Sequence, residues 1–332
     1  MLTIGLTDHL EGPADRPSAA VFAEVGELVE LADRLGVRYA WFAEHHAHAH
    51  LGHLPTPLLF ALHLAGRTQG IYLGTAVLCL NLRNPIDIAE QVAVADTLTG
   101  GRMAVGFGSG STPGEFALFG CEVTDDAERH ARFEAALGTI QDVWSGTSTP
   151  RLLPIPSPAL AGRTWLAVNS ATSAQIAGAM GFNMLFSHLR TPEQYRQYRD
   201  VYLEAGGTGL VAANRPVFVG RDDASAFDQA GPALRTLWRR FQREGKIPAG
   251  TPEPTDLAGL TAHPINFLVG GPASVARQCA ELREQVPYDV LNVEVRWAGL
   301  SHALVCDSLR RLMEEVVPRV DSAAGLAVSR SA

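Results

Sequence analysis

Short apolar segments alternate regularly with longer amphipathic ones along the 332 residues of this chain. Leu2–Leu6 is an apolar run typical of a strand, and Val25, Val29 and Ala32 then follow helical spacing until Gly36. Strand starts recur about every thirty residues, which is the length of a βαβ unit. The alternation therefore favours an α/β protein with parallel strands.

Continued to the end of the chain, the pattern predicts eight strands with helices between them, at Leu2–Leu6, Tyr39–Ala43, Ile71–Val77, Met103–Phe107, Thr164–Val168, Met184–Ser187, Val217–Val219 and Val290–Val295. Eight such units in one chain of this length predict a single TIM (β/α)8-barrel domain that spans residues 1–332. A doubly wound parallel sheet is the alternative fold.

Helix boundaries support this pattern. Asn84 and Pro85 provide a cap and a proline at the first helical position, and Gly100-Gly101 ends that helix. Thr191 and Gln194 have the spacing of a capping box.

Two segments do not fit a bare barrel. Residues 145–162 are rich in proline, serine and threonine, and we expect a surface loop there. Residues 227–262 contain a polar helix at Leu234–Glu244 followed by a proline-rich stretch. An insertion of this length before the last βα unit is a candidate lid.

Composition excludes several classes of partner. The net charge is −8 and no basic run is present, so neither nucleic acid nor an anionic membrane is the expected partner. No stretch is long and apolar enough to cross a membrane.

The four cysteines, Cys79, Cys121, Cys279 and Cys306, form no CxxC pair, which favours free thiols in a reducing compartment. The N-terminus lacks the basic region of a signal peptide, so we expect a cytoplasmic protein.

Active sites of TIM barrels lie where the strands end, and five histidines follow the second strand: His45, His46, His48, His50 and His53. Three interpretations are open. The histidines could be solvated loop residues, or His48 and His50 could take part in a metal site, although no CxxC or HExxH motif supplies further ligands. Alternatively, one histidine at the strand end is an acid/base residue that faces the barrel mouth.

Small residues follow the fourth and fifth strands. The run from Gly106 to Gly110 imitates a dinucleotide fingerprint, but Ser111 occupies the place of its third glycine, so a nicotinamide-binding Rossmann domain is not expected. Ser170 or Thr172 would cap the helix after the fifth strand, and a phosphate would be stabilised at the same place. Trp297, after the eighth strand, would either wall an aromatic ligand or pack on the barrel end.

Five segments of this sequence occur in the order found in luciferase-like monooxygenases, which the chain resembles over nearly its whole length. They are WFAEHH, GTAVLCL, NPIDIAEQVAVADTLTGGRMAVGFGSG, VNSATSAQIAGAMG and FLVGGPASVARQCAEL. The resemblance is to the bacterial luciferase alpha chain and its single-component relatives.

The resemblance implies a TIM barrel that forms a homodimer and binds reduced flavin mononucleotide (FMN) supplied by a separate flavin reductase. Molecular oxygen would form a flavin C4a-hydroperoxide that oxygenates a small hydrophobic organic substrate, which the GC-rich composition associates with secondary metabolism. A deazaflavin-dependent oxidoreductase and a non-catalytic flavin-binding subunit remain alternatives within the same family.

The resemblance also implies roles for particular residues. The histidine of the EHH motif that transfers protons matches His45, and the non-prolyl cis peptide below the flavin ring falls at Ala76–Val77. The position beside the ring matches Asn169, and the hydroxyls that hold the flavin phosphate match Ser170 and Ser173.

Two flavin-contacting positions differ from luciferase. Gly108 stands where luciferase has a reactive cysteine, and Ser109 stands where it has a phosphate-binding arginine. We therefore expect no thiol contact to the flavin, and a different arginine at the phosphate. No metal site is predicted.

Overall fold

The structure, a computed structural model, describes residues 2–13, 15–46, 52–110, 113–121, 125–186, 190–243, 247–248, 250–261 and 267–322. Within these ranges the strands are β1 (Thr3–Asp8), β2 (Tyr39–Phe42), β3 (Tyr72–Cys79), β4 (Met103–Gly108), β5 (Thr164–Val168), β6 (Asn183–Phe186), β7 (Val211–Val219), β8 (Leu268–Gly270) and β9 (Val290–Glu294).

The helices of the same ranges are α1 (Ser18–Arg34), α2 (Pro57–Ala65), α3 (Pro85–Leu98), α4 (Pro113–Leu118), α5 (Asp126–Ser145), α6 (Ala171–Ala179), α7 (Pro192–Glu204), α8 (Asp223–Arg243), α9 (Leu257–Thr261), α10 (Pro272–Gln285) and α11 (His302–Arg311). Short 3-10 helices lie at Leu80–Leu82 and Pro158–Arg163, and a π-helical turn at Leu312–Val316 continues α11.

Eight parallel strands close into a barrel. The hydrogen-bonded order is β6-β5-β4-β3-β2-β1-β9-β7, and β7 pairs back to β6, with Leu185 opposite Ala212. Helices connect the strands, so the predicted TIM barrel is confirmed and the doubly wound alternative is excluded.

The seventh strand differs from the prediction. It begins at Val211, six residues before the predicted start at Val217, because the buried polar residues of its first half interrupt the apolar pattern. The strand changes partner after Pro216, which lies opposite Glu294 of β9, whereas Val217 pairs with β8. The three residues of β8 were not predicted as a strand, and they lie outside the barrel order.

The predicted helix starts at α3 and α7 are confirmed. The Asn84 side chain accepts a hydrogen bond from the N–H of Ile86, at 2.9 Å. Thr191 and Gln194 form both hydrogen bonds of a capping box. Gly100, which follows α3, has a φ of +65°, a conformation that glycine adopts without steric cost.

Aromatic side chains fill the amino-terminal part of the barrel interior. Trp41 lies 5.7 Å from Trp165 in an edge-to-face arrangement, and its indole N–H donates to Asn292 Oδ1 at 3.0 Å. The ring of Trp41 occupies the space beside Gly74, where an added Cβ would lie 2.3 Å from the ring. Glycine is therefore required at this position for the indole to fit.

The two segments predicted outside the barrel have different structures. Residues 147–157, within the predicted surface loop 145–162, form neither helix nor strand. In the predicted insertion 227–262, the helix starts at Asp223 rather than Leu234, because Pro232 lies inside α8 without ending it. Some residues of the predicted elements lie outside the described residues. They are Ser187, Glu244, and 245–246, 249 and 262 of the predicted insertion.

A second hydrophobic cluster forms around α8. The apolar face of α8, including Leu234, Trp238 and Phe241, packs with Phe267 and Trp297, and this cluster is separate from the main core. Within the described ranges, the helices lack the combination of length and apolar character that a membrane span needs.

We predict that Gly74→Ala lowers the free energy of unfolding by about 1–3 kcal/mol, because the new methyl group overpacks the Trp41 ring. Chemical denaturation of the purified protein measures this change. The matched control is Gly138→Ala in α5, where an added Cβ meets nothing within 4 Å. That variant should be more stable by roughly 0.5–1 kcal/mol, since alanine is the better helix former. Equal stability of the two variants would contradict the packing described here.

Candidate functional site

Glu44 organises the loop after β2. Its carboxylate is fully buried, and its Oε1 accepts from Nε2 of His46 at 2.8 Å and from Arg83 Nη2 at 3.0 Å. The backbone N–H of His46 donates to Glu115 Oε1 at 2.9 Å. These contacts assign His46 and Glu44 to holding the loop in place.

His45 is held differently and is only partly buried. Its Nε2 lies 3.2 Å from Nδ1 of His9, and the two rings are stacked with centroids 5.5 Å apart. The backbone N–H of His45 donates to Leu54 O at 3.1 Å. Because one imidazole donates this hydrogen bond and the other accepts it, the pair is suited to hold or transfer a proton.

His9 was not identified from the sequence. It follows β1 and is 36 residues away from His45, so no local motif joins the two residues. The parallel pairing of β1 with β2, in which Asp8 lies opposite Phe42, brings the ends of both strands together. The strand order therefore explains the contact.

The ends of β3 and β4 lie next to this loop in the barrel order. The peptide bond between Ala76 and Val77 is cis, as the resemblance implied. The side chain of Val77 occupies the space beside Gly108, where an added Cβ would lie 2.5 Å from Val77 Cγ2. Gly108 therefore admits the side chain of Val77, whereas the sequence suggested that glycines here leave room for a ligand.

An arginine lies beside Ser109. The Nη1 atom of Arg129 donates to Ser109 Oγ at 2.7 Å and to Gly110 O at 2.6 Å. Asn81 joins this group by donating from Nδ2 to Ser109 O and to Arg129 O, both at 2.9 Å. Sequence reasoning expected a substitute arginine but did not identify it, because Arg129 is 20 residues further along the chain.

The start of α6 has a built cap. Ser170, one of the two predicted capping residues, accepts from the N–H of Ser173 at 3.2 Å. The Ser173 hydroxyl in turn accepts from the N–H groups of Asn169 and Ser170, each at 3.1 Å. Among the described residues, none accepts a hydrogen bond from the N–H of Thr172. The helix start therefore offers hydroxyls and an amide N–H to an anion.

All of the predicted site residues lie at the same end of the barrel, because each follows the carboxyl end of a parallel strand or lies near it. His45 follows β2, Ala76 and Val77 are in β3, Gly108 and Ser109 are at the end of β4, and Asn169, Ser170 and Ser173 follow β5. The site thus spans four adjacent strands, with the histidine pair at one side and the α6 cap at the other.

Two other ionisable groups lie near this end. Burial raises the pKa of the Cys79 thiol, and the carboxylates of Glu44 and Glu115 raise it further, so this thiol stays protonated. Burial also raises the pKa of Asp8, against the opposing charge of Arg296. Neither environment favours an ionised nucleophile.

The metal interpretation concerned His48 and His50, which lie outside the described residues. Among those that the structure does describe, no three His, Cys, Asp or Glu side chains converge as a metal site would require.

Comparison with known proteins assigns this chain to a family. The family model for luciferase-like monooxygenases matches residues 3–289. The oxygenase component of the flavin-dependent trigonelline monooxygenase from Acinetobacter baylyi is 23% identical, and the alignment covers 93% of each chain. The F420-dependent glucose-6-phosphate dehydrogenase of Amycolatopsis mediterranei is 32% identical over 150 residues, or 44% of this chain and 42% of that protein.

Among solved structures, this chain is similar to the oxygenating constituent of 3,6-diketocamphane monooxygenase from Pseudomonas putida, a type II Baeyer–Villiger monooxygenase determined in complex with FMN. The TM-score is 0.80 at 20% identity, and the superposition covers 96% of this chain and 98% of that one. This likeness supports the barrel fold. The match of the family over most of the sequence shows that the chain belongs to the luciferase-like monooxygenases, a family of oxidoreductases.

Proposed function

We propose that this chain is the oxygenase component of a two-component, flavin-dependent monooxygenase that uses reduced FMN and molecular oxygen to oxygenate a small hydrophobic organic substrate. A separate flavin reductase would supply the reduced FMN, as the designation "oxygenase component" of the trigonelline enzyme suggests. All four cysteines are free thiols, which fits a cytoplasmic location.

The observation that carries the proposal is the anion cradle at the ends of β4 and β5. Ser170 and Ser173 provide hydroxyls at the start of α6, and the positive end of that helix favours a phosphate. Arg129, beside Ser109, adds a guanidinium of the kind that binds phosphate strongly. These groups fit the phosphate of FMN and replace the arginine that luciferase has at the position of Ser109.

The flavin ring would then extend from this cradle toward β3 and β2. Asn169 precedes the cradle, and the peptide of Ala76 and Val77 lies between it and the histidine loop in the strand order. When bound, reduced FMN would supply the electrons that activate molecular oxygen. The insertion that contains α8 is a candidate lid that excludes water from the site.

His45 is the proposed acid/base residue. It is part-buried at the end of β2, and His9 holds its Nε2 in a fixed hydrogen bond. An imidazole can accept or donate a proton near neutral pH, which suits it to acid/base catalysis. In this proposal His9 is a positioning residue that fixes the orientation of the His45 ring.

The test of the function combines the protein with a flavin reductase, FMN and ¹⁸O₂, and screens apolar aldehydes, ketones and aromatic compounds for labelled product. We expect one ¹⁸O atom in the product and oxygen consumption that depends on FMN. Because some relatives depend on F420, a deazaflavin, the test is repeated with reduced deazaflavin in place of FMN. Turnover with deazaflavin, without oxygen uptake or label, would show a hydride-transferring oxidoreductase and contradict the proposal.

We predict that His45→Ala lowers the rate of product formation roughly 10²–10⁴-fold, the range typical of a lost acid/base group, and leaves FMN binding intact. His63→Ala, a change at an exposed histidine of α2, is the matched control and should have the wild-type rate. Steady-state turnover and FMN titration measure both properties. A wild-type rate in His45→Ala would favour the non-catalytic flavin-binding subunit.

We predict that Arg129→Ala weakens FMN binding roughly 10–100-fold, because a charge-assisted contact to the phosphate is lost. Its affinity for riboflavin, which has no phosphate, should not change. Both arginines pair with a carboxylate of α5, Arg129 with Asp126 and Arg132 with Glu128, but Arg129 is the one that donates to Ser109, so Arg132→Ala is the control on the same helix. Fluorescence titration with FMN and riboflavin measures these affinities, and equal losses for both ligands would place Arg129 away from the phosphate.

A homodimer is also proposed, through helices α2 and α3, which pack against each other. Their outer faces carry Leu59, which is 65% exposed, and Leu98, which is 70% exposed, together with Ile86 and Val94. A row of exposed apolar side chains on two adjacent helices is typical of a protein interface.

We predict that Leu98→Glu yields a monomer in light scattering coupled to size-exclusion chromatography, because a buried unpaired carboxylate opposes association. Leu153→Glu is the control, since Leu153 is similarly exposed, at 69%, in the loop before β5. A wild-type protein that elutes as a monomer, or a dimeric Leu98→Glu variant, would contradict this interface.

A further inference from the structure

A cavity of about 310 Å³ lies between α8 of the insertion and the end of the barrel. The loop after β1 forms one wall with Glu11, Gly12 and Pro13, and the loop after β9 forms another, beginning at Arg296. The starts of α1 and α11 complete it. Its volume is at the lower end of the range of small-molecule pockets, so it would accommodate a compact organic molecule.

The cavity lining carries more positive than negative charge, although the whole chain has a net charge of −8. Four arginines line it against two glutamates, and those residues are Arg16, Arg240, Arg243, Arg296, Glu11 and Glu24. The excess is therefore local to this cavity.

Ion pairs account for three of the four arginines. Arg240 pairs with Glu11, and Arg16 pairs with Glu24. Arg296 donates from Nη2 to the backbone carbonyl of Glu11 at 2.6 Å, and its Nη1 lies 3.5 Å from Asp8 Oδ1.

Arg243 is the arginine that a ligand reaches most directly. It is the last residue of α8 and is exposed, and no hydrogen-bond acceptor contacts it among the residues that the structure describes. A guanidinium binds a carboxylate through two parallel hydrogen bonds, so this position favours an organic anion over a neutral molecule.

The rest of the lining is apolar. Trp297 is almost fully buried, and its indole N–H donates to Glu294 O at 2.8 Å, which fixes the orientation of the ring. Leu237 and Val305 are buried beside it. Trp297 thus packs with α8 and also lines the cavity.

The loop after β1 links the cavity to the candidate histidine pair. The loop that provides Glu11 and Gly12 to its wall begins with Asp8 and His9, and His9 contacts His45. An added Cβ at Gly12 would lie 3.1 Å from Nε2 of His53, which places His53 against the same wall.

We propose that this cavity binds the substrate and that the substrate is an amphipathic organic anion, with an apolar body against Trp297 and Leu237 and a carboxylate on Arg243. This inference rests on the proposed function, because it identifies the molecule in the cavity with the one that is oxygenated. It narrows the substrate class from hydrophobic compounds in general to those that carry an acidic group.

Calorimetric titration of the flavin-free protein with 2-naphthoate and with neutral 2-naphthylmethanol tests the binding step. We expect the carboxylate to bind roughly tenfold more tightly than the alcohol or better, as a charge-assisted contact implies. Arg243→Ala should remove that preference. Arg235→Ala, a change at an exposed arginine of α8 that does not line the cavity, should keep it. Equal binding of acid and alcohol, or an unchanged preference in Arg243→Ala, would overturn the proposal.

A second measurement tests whether the cavity serves the reaction. Reduced FMN bound to the protein is mixed with oxygen, with and without 2-naphthoate, and the rate of flavin oxidation is followed by absorbance. We expect 2-naphthoate to change this rate in the wild type and in Arg235→Ala but not in Arg243→Ala. Binding of 2-naphthoate with no effect on flavin oxidation would refute the assignment to substrate. Binding of 2-naphthoate by a protein that does not bind FMN would instead refute the proposed function.

Discussion

Closure of the barrel is the constraint on which the remaining structure depends. Eight parallel strands close only when β7 pairs with β6, and the interior is then filled by Trp41, Trp165 and their neighbours. Once the barrel is closed, every strand ends at the same rim. Residues that are far apart in sequence, such as His9 and His45 or Ser109 and Ser173, therefore lie at one end of the molecule.

The rim is divided into regions of different electrostatic character. Around β4 and β5, hydroxyls, the N-terminus of α6 and a guanidinium favour an anion. Around β2, the buried carboxylate of Glu44 pairs with Arg83 and is hydrogen-bonded to His46, which holds His46 in place, while His45 is only partly buried. Around β1 and β9, four arginines and two glutamates line a cavity, and Arg243 at the end of α8 is its exposed arginine. A flavin and a substrate with an acidic group would occupy separate parts of such a rim.

Much of the fold follows from local sequence signals. Apolar runs identify the barrel strands, and the caps at Asn84, Thr191 and Ser170 identify helix starts, because these effects act within a few residues. The first half of β7 was missed because Arg215 and Pro216 interrupt its apolar run. Arg215 is tolerated there because its guanidinium lies 4.7 Å from the ring of Tyr195 and bonds to the Tyr195 hydroxyl and to Asn214 O.

The candidate site was predicted less completely than the fold, and for a similar reason. His45, Ser170 and Ser173 lie in segments with a recognisable local pattern. His9 and Arg129 do not, since their contacts join different strands and helices, and only the barrel closure brings them into the site. The side chain of Val77 fills the space beside Gly108. This is also a tertiary contact, so the local sequence around Gly108 does not indicate it.

The most direct test of the central claim is a crystal structure of the protein with FMN bound. We expect the phosphate to lie within hydrogen-bond distance of Ser170, Ser173 and Arg129, with the ring against the peptide of Ala76 and Val77 and its reactive edge toward His45. An FMN molecule bound elsewhere, or protein side chains filling the rim between β2 and β5, would contradict it.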